Sequence, residues 1–122
     1  MTNLESKNIL IVEDDDMNFI YIKQLFKILK IEFDRVKTGT AAIECCHNKK
    51  YDAVMMDIQL PGISGYDATR AIREFDLKTP IIAQTASKNP NEKDEALLAG
   101  CNDILVKPFK LDDLKRLFDK IF

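Results

Sequence analysis

Ile9-Leu10-Ile11-Val12-Glu13-Asp14-Asp15-Asp16 is a run of four apolar residues that passes directly into four acids. A short, continuously apolar, β-branched run suits a strand covered on both faces, since a strand with one wet face alternates. Strands covered on both faces belong to parallel sheets sandwiched between helices. In such sheets ligands bind beyond the carboxyl ends of the strands. This stretch therefore points to a fold class and marks an acidic strand end as the place to look for a site.

Comparable runs follow at intervals. Ala53 to Met56 and Ile81 to Ala83 read as further buried strands, Ile31 to Val36 as a more polar edge strand, and Ile104 to Val106 as the last, ended by Lys107-Pro108. Amphipathic stretches lie between them. Ile22, Leu25, Phe26 and Leu29 form one stripe with Lys23, Lys27 and Lys30 opposite; Ala68, Ile72 and Phe75 form another. In the final helix Leu111, Leu114, Leu117, Phe118 and Ile121 face inward, and Lys115, Arg116 and Asp119 outward. Thr40 to His47 is a further helix. Asn89 as N-cap, Pro90 at the first helical position and Glu92 at the third mark the start of the fourth, in the manner of a capping box. The pattern is (βα)5, and for an open sheet of this kind the order 2-1-3-4-5 is the simplest fit, with the site beside the switch point between strands 1 and 3.

The 122 residues show no shift in composition, so one domain over 1–122 is expected. With 46% apolar and 31% charged residues the chain is ordinary for a globular protein. The net charge of −2, with both signs interleaved, offers no basic stripe for nucleic acid. No apolar run approaches the roughly 20 residues of a membrane span, and Met1 to Lys7 lacks a signal-peptide core, so a cytoplasmic address is expected. Cys45, Cys46 and Cys101 form neither a disulfide framework nor a zinc pattern, and read as packed or helix-surface thiols.

The strand ends carry the chemistry. Strand 1 ends in Glu13 and Asp14, strand 3 in Asp57, strand 4 in Thr85 and strand 5 in Lys107. Each has a plain reading on its own. Acids after a strand often form a solvated loop or a helix N-cap, which suits Asp15 and Asp16, and Asp57 can be a turn residue before Pro61-Gly62. At one end of one sheet, however, they supply a nucleophile, oxygen ligands for Mg²⁺, a hydroxyl and a fixed cation, the parts that phosphoryl transfer to a carboxylate needs.

These residues sit in stretches that resemble the response-regulator receiver family, in the flavour of receivers from hybrid histidine kinases. The resemblance runs from about Lys7 to Phe122. Ile9 to Asp14 followed by Met17-Asn18, Thr38 to Glu44, Met56 to Gly65 continuing through Arg70, Pro80 to Ala86, and Ala99-Gly100 through Lys107-Pro108-Phe109 carry it. It implies a flavodoxin-like three-layer sandwich, with Asp57 as phosphoacceptor and Asp14, Asp57 and the Gln59 carbonyl on Mg²⁺. Glu13 would contribute through water, Thr85 and Lys107 would hold phosphoryl oxygens, and the Lys107-Pro108 peptide would be cis.

The resemblance further implies a phosphorelay signalling domain rather than an enzyme with a substrate of its own, one that catalyses only its own phosphorylation and dephosphorylation. A histidine kinase or histidine phosphotransfer protein would be the donor. A downstream protein or attached output domain would be the target, and the domain would act as a monomer or a phosphorylation-dependent dimer. The chain departs from the family pattern at Ile104, where a switch aromatic is usual, and at Gln84, usually apolar, which bears on packing under the fourth helix. With Ile104 in place of the ring the switch is expected to be weaker or differently read out. The rival readings are an unphosphorylated receiver-like scaffold, a flavin carrier, whose phosphate loop would not be acidic, and an aspartyl phosphatase, which would place an acid where Gln59 stands.

Overall fold

The computed structural model describes residues 4–122, so the first three residues of the Met1 to Lys7 stretch lie outside the described residues. Five strands alternate with five helices: β1 (Asn8–Val12), α1 (Asp16–Leu29), β2 (Glu32–Val36), α2 (Gly39–Asn48), β3 (Ala53–Asp57), α3 (Gly65–Arg73), β4 (Ile81–Thr85), α4 (Pro90–Ala99), β5 (Asp103–Val106) and α5 (Leu111–Ile121). All strand pairs are parallel and the order is β2-β1-β3-β4-β5. This is the (βα)5 order expected from the alternation of runs, in the flavodoxin-like sandwich that the resemblance implies. The polar β2 is an edge strand, and β3 and β4 are buried along their whole length.

Two cores cover the two faces. Ile9, Ile11, Met55, Ile82 and Leu105 pack under Ile22, Leu25 and Phe26 of α1 and Leu114, Leu117 and Phe118 of α5. Leu10, Val12, Val54, Met56, Ile81 and Ala83 pack under Ala42 of α2, Ala68 and Ile72 of α3 and Ala96 of α4. Burying each large side chain contributes about 1.5–3 kcal/mol, so α1 and α5 are held mainly by their stripes. Among the described residues no helix is long and apolar enough to cross a membrane.

Three expectations need correction. Phe75 lies beyond the end of α3, is 38% exposed, and stacks on His47 at 3.6 Å between ring centroids. The helix stops at Arg73, so the spacing that aligned Phe75 with Ile72 no longer applies. Asn89 does cap α4, accepting from the Asn91 N–H, but the Asn89 N–H donates to Ser87 Oγ, which leaves the Glu92 carboxylate to turn toward Thr85. Gln84 shares a sheet face with Ile82, the face covered by α1 and α5, and does not pack under α4.

Candidate functional site

Short loops leave β1, β3, β4 and β5 at one edge of the sheet, and a cleft of about 500 Å³ opens there. Among its lining residues are Glu13, Asp14, Asp57, Gln59, Thr85 and Lys107. Asp14 is exposed, whereas Glu13 and Asp57 are buried, at 0% and 6% exposure. Carboxylate oxygens of Glu13, Asp14 and Asp57 lie within 4.8 Å of one another. Three carboxylates form an all-oxygen set, which suits a hard divalent cation and not the soft ligand sets of zinc or copper.

Lys107 ties the buried pair together. Its Nζ donates to Glu13 Oε1 at 3.0 Å and to Asp57 Oδ2 at 3.1 Å. Asn18, on the first turns of α1, also donates its side-chain amide to Glu13 Oε1. The α1 start that aims Asn18 is fixed by Asp15, whose carboxylate accepts from the Met17 N–H as the N-cap. Asp16 pairs instead with Arg35 and Lys37, so Asp15 and Asp16 take the cap and surface roles expected of them.

The two buried carboxylates are driven apart in acidity. Burial, together with the hydrogen bond and charge of Glu13, pushes Asp57 up to about 6, against the pull of Lys107. Burial also raises Glu13, but hydrogen bonds with Asp57 and Lys107, the Lys107 charge and Asn18 outweigh it and hold Glu13 below the usual range. Burial would lower Lys107, yet the two carboxylates overcome this and raise it. Three acids against one ammonium leave the cleft short of positive charge.

Backbone geometry fixes the loop that follows Asp57. The Gln59 N–H donates to Asp57 Oδ1 at 3.2 Å, and Gly65 starts α3 so close to β3 that a Cβ there would sit 2.1 Å from the Asp57 carbonyl oxygen. Gly62 lies at φ +79°, a left-handed turn position. The Thr85 hydroxyl lies 3.4 Å from Glu92 Oε1 and accepts from the Ser87 N–H at 3.0 Å. The Lys107-Pro108 peptide is cis.

Glu13, Asp14, Asp57, Gln59, Thr85 and Lys107 thus share one cleft. Ile104 does not: it sits half-buried beside α4, in a separate groove with Ser87, Asn89 and Glu92. Asn18 and Glu92 were not singled out from sequence as site residues. Asn18 was legible only as part of the Met17-Asn18 motif and Glu92 only as a helix-start residue, and nothing in their spacing shows which way the side chains turn.

Residues 9–119 match the family described as response regulator receiver domain. The chain belongs to the response regulator receiver domain family. It is 38% identical over 125 residues to hybrid signal transduction histidine kinase G of Dictyostelium discoideum, an alignment that takes in 98% of this chain and 4% of that protein. The receiver domain of sensor histidine kinase PA1611 from Pseudomonas aeruginosa, solved with a magnesium ion coordinated in its active-site cleft, is 37% identical with a TM-score of 0.88, covering 94% of this chain and 96% of that one. The receiver domain solved in the co-crystal of the Saccharomyces cerevisiae histidine phosphotransfer protein Ypd1 with Ssk1 matches at 32% identity and a TM-score of 0.84, over 98% and 89% of the two chains. The receiver chain described here spans from 4% to 20% of the length of the first two curated relatives it matches.

Proposed function

We propose that this receiver domain accepts a phosphoryl group on Asp57 from a phosphohistidine donor, with Mg²⁺ held by Asp14, Asp57 and the Gln59 carbonyl and assisted through water by Glu13. The observation that carries the reading is the Lys107 ammonium spanning Glu13 Oε1 and Asp57 Oδ2 beside a third carboxylate. The donor set fits the metal: hard oxygens, under-neutralised, with an open side toward solvent that leaves room for the waters Mg²⁺ retains. When bound, the ion supplies positive charge against the equatorial phosphoryl oxygens.

The chain's own residues do the rest. An Asp57 carboxylate oxygen forms the new O–P bond while the N–P bond of the donor imidazole breaks, and the imidazole nitrogen keeps the electron pair. Asp57 gives up no proton in this step, so it acts as the ionised carboxylate that Lys107 favours. Lys107 and the Thr85 hydroxyl lie where they can hold phosphoryl oxygens, Thr85 by leaving Glu92. Hydrolysis of the acyl phosphate by water restores Asp57, and self-catalysed transfer and hydrolysis are the whole of the chemistry. The donor is a histidine kinase or phosphotransfer protein fed from ATP, which assigns the domain to the cytoplasm. The recipient of the signal is a protein partner or an attached output domain.

The test is intact mass after incubation with Mg²⁺ and acetyl phosphate. One base-labile phosphoryl adduct on the wild-type protein, absent from Asp57→Asn and from a magnesium-free sample, is expected. An adduct of equal yield on Asp57→Asn would overturn the assignment.

A further inference from the structure

Glu13, Asp57 and Gln84 form one row across three neighbouring strands. Val12 registers with Met56, which sets Glu13 beside Asp57, and Asp57 registers with Gln84. Parallel partners project from the same face about 4.8 Å apart, so the three side chains stand side by side. Beyond Gln84 the row continues to Leu105, with Lys107 two residues further along β5 on the same face. Lys107 falls opposite Ala86, one same-face step beyond Gln84, and its side chain crosses β4 to end on Asp57 and Glu13, which lie in the row of Gln84.

Gln84 is fully buried and lines the cleft, and among the described residues it is the one whose buried side-chain Nε2 and Oε1 have no hydrogen-bond partner. An orphaned buried amide costs stability that an apolar side chain would not, and its face neighbours Ile82 and Leu105 are apolar. Packing therefore gives no reason for glutamine here. The Lys107 ammonium carries three N–H donors, and Glu13 and Asp57 take two.

We propose that Gln84 is a positioning residue for phosphoryl transfer at Asp57, acting through Lys107. As Lys107 turns from the Asp57 carboxylate to the oxygens of the incoming phosphoryl group, Gln84 Oε1 accepts an ammonium N–H and fixes its aim. Gln84 Nε2 donates to the Asp57 side chain and holds the nucleophile in line. The bond changes are those of the transfer itself: O–P forms at Asp57 and the donor's bond to phosphorus breaks with its electron pair. The inference rests on the reading of Asp57 as phosphoacceptor.

The test compares wild type with Gln84→Met, which keeps length and loses both polar atoms. Rates of adduct formation are measured against acetyl phosphate concentration at fixed Mg²⁺, alongside thermal unfolding and the side-chain amide resonances of Gln84 with and without beryllium fluoride. Expected are a melting temperature equal to or above wild type, a maximal rate lower by at least about tenfold, the loss that even one of the two hydrogen bonds to charged groups would bring, and an unchanged saturation constant. The wild-type Gln84 amide resonances are expected to shift with beryllium fluoride. A purely structural role would change melting and leave the rate alone, and would overturn the proposal. So would unmoved amide resonances, a measurement that needs no folded variant. A wild-type protein that takes up no phosphoryl group overturns the Asp57 reading itself, and is told apart by the absence of any adduct to compare.

Discussion

Replacing Asp57 by Asn is expected to make the metal-free protein more stable. In the folded chain Asp57 is raised from 3.8 to about 6, chiefly by burial and by Glu13. The folded state therefore binds this proton more tightly than the unfolded chain does. Between those two values it carries more protons, so its stability falls as pH rises, and above about 6 the whole cost is present. A shift of roughly two units corresponds to about 3 kcal/mol at 1.36 kcal/mol per unit. Asn removes that charge and can donate its amide to Glu13 and accept from Lys107; the Lys107 attraction is already counted in the net shift, and burying the amide with imperfectly matched partners takes back about 1–2 kcal/mol. The net gain is about 1–2 kcal/mol at pH 7.5, or about 4–8 °C in melting temperature for a chain of this size.

Circular-dichroism melts in EDTA from pH 4 to 8 test this. Wild type should lose stability from pH 4 to 6.5 relative to Asp57→Asn, and Mg²⁺ should stabilise wild type more than the variant. Glu13 works in the opposite sense: its lowered value contributes stability above 4.5 that fades as pH falls, and because part of that lowering comes from its hydrogen bond with Asp57, the difference between the two curves reports the Glu13 and Asp57 pair together. A variant less stable than wild type in EDTA at pH 7.5, or two parallel pH curves, would refute the reasoning.

Lys107→Met leaves two buried carboxylates without their shared cation and should cost about 3 kcal/mol in EDTA at pH 7.5 by urea denaturation, less at pH 5, where Asp57 takes up a proton. Gly65→Ala drives a methyl against the Asp57 carbonyl oxygen and Ile58 Cα, both backbone atoms that cannot swing aside. It should cost more than about 3 kcal/mol in the same assay and abolish adduct formation. Arg73→Ala removes a guanidinium that bonds the Gly100 carbonyl at 2.9 Å, the Asp76 carbonyl at 3.0 Å and Asn102 Oδ1 at 2.8 Å. A loss of about 2 kcal/mol is expected, with amide exchange rising at the start of β5 and the phosphorylation rate unchanged.

The parts of the fold that were legible are those where burial on two faces leaves a simple trace. β1, β3 and β4 are buried runs, and the stripes of α1 and α5 are complete because each helix covers a broad face. α4 buries only Ala96 and Ala99 and leaves Leu97 and Leu98 exposed, so periodicity is nearly silent there and the Asn89-Pro90 cap marks its start. In the site, each residue at a strand end was legible because the order of strands fixes which ends meet. Asn18, Glu92 and the Glu13, Asp57, Gln84 row were not, because they depend on side-chain direction and on register between distant strands. Gln84 stood out as an unexpected residue type, but its face follows only from counting alternate positions along β4.

The same geometry bears on how the signal leaves the site. Thr85 Oγ1 contacts the Glu92 carboxylate on the first turn of α4, and the Tyr66 hydroxyl bonds the Glu92 carbonyl at 3.4 Å, which joins α3 to the same turn. On the proposed reading, a phosphoryl group on Asp57 would compete with Glu92 for the Thr85 hydroxyl and repel the Glu92 carboxylate across the cleft that Asp57, Thr85 and Glu92 line. Ile104 is already half-buried against α4 and has no ring to exchange between two positions, so little of this reaches α5. With Mg²⁺ and beryllium fluoride, backbone amide shifts should therefore concentrate on Ser87 to Lys93 and remain small on α5. Glu92→Gln, which keeps the hydrogen-bonding shape and removes the charge, should reduce them. Large shifts along both α4 and α5 would mean that Ile104 transmits the signal as an aromatic does, and that the Thr85 to Glu92 contact is not the main route.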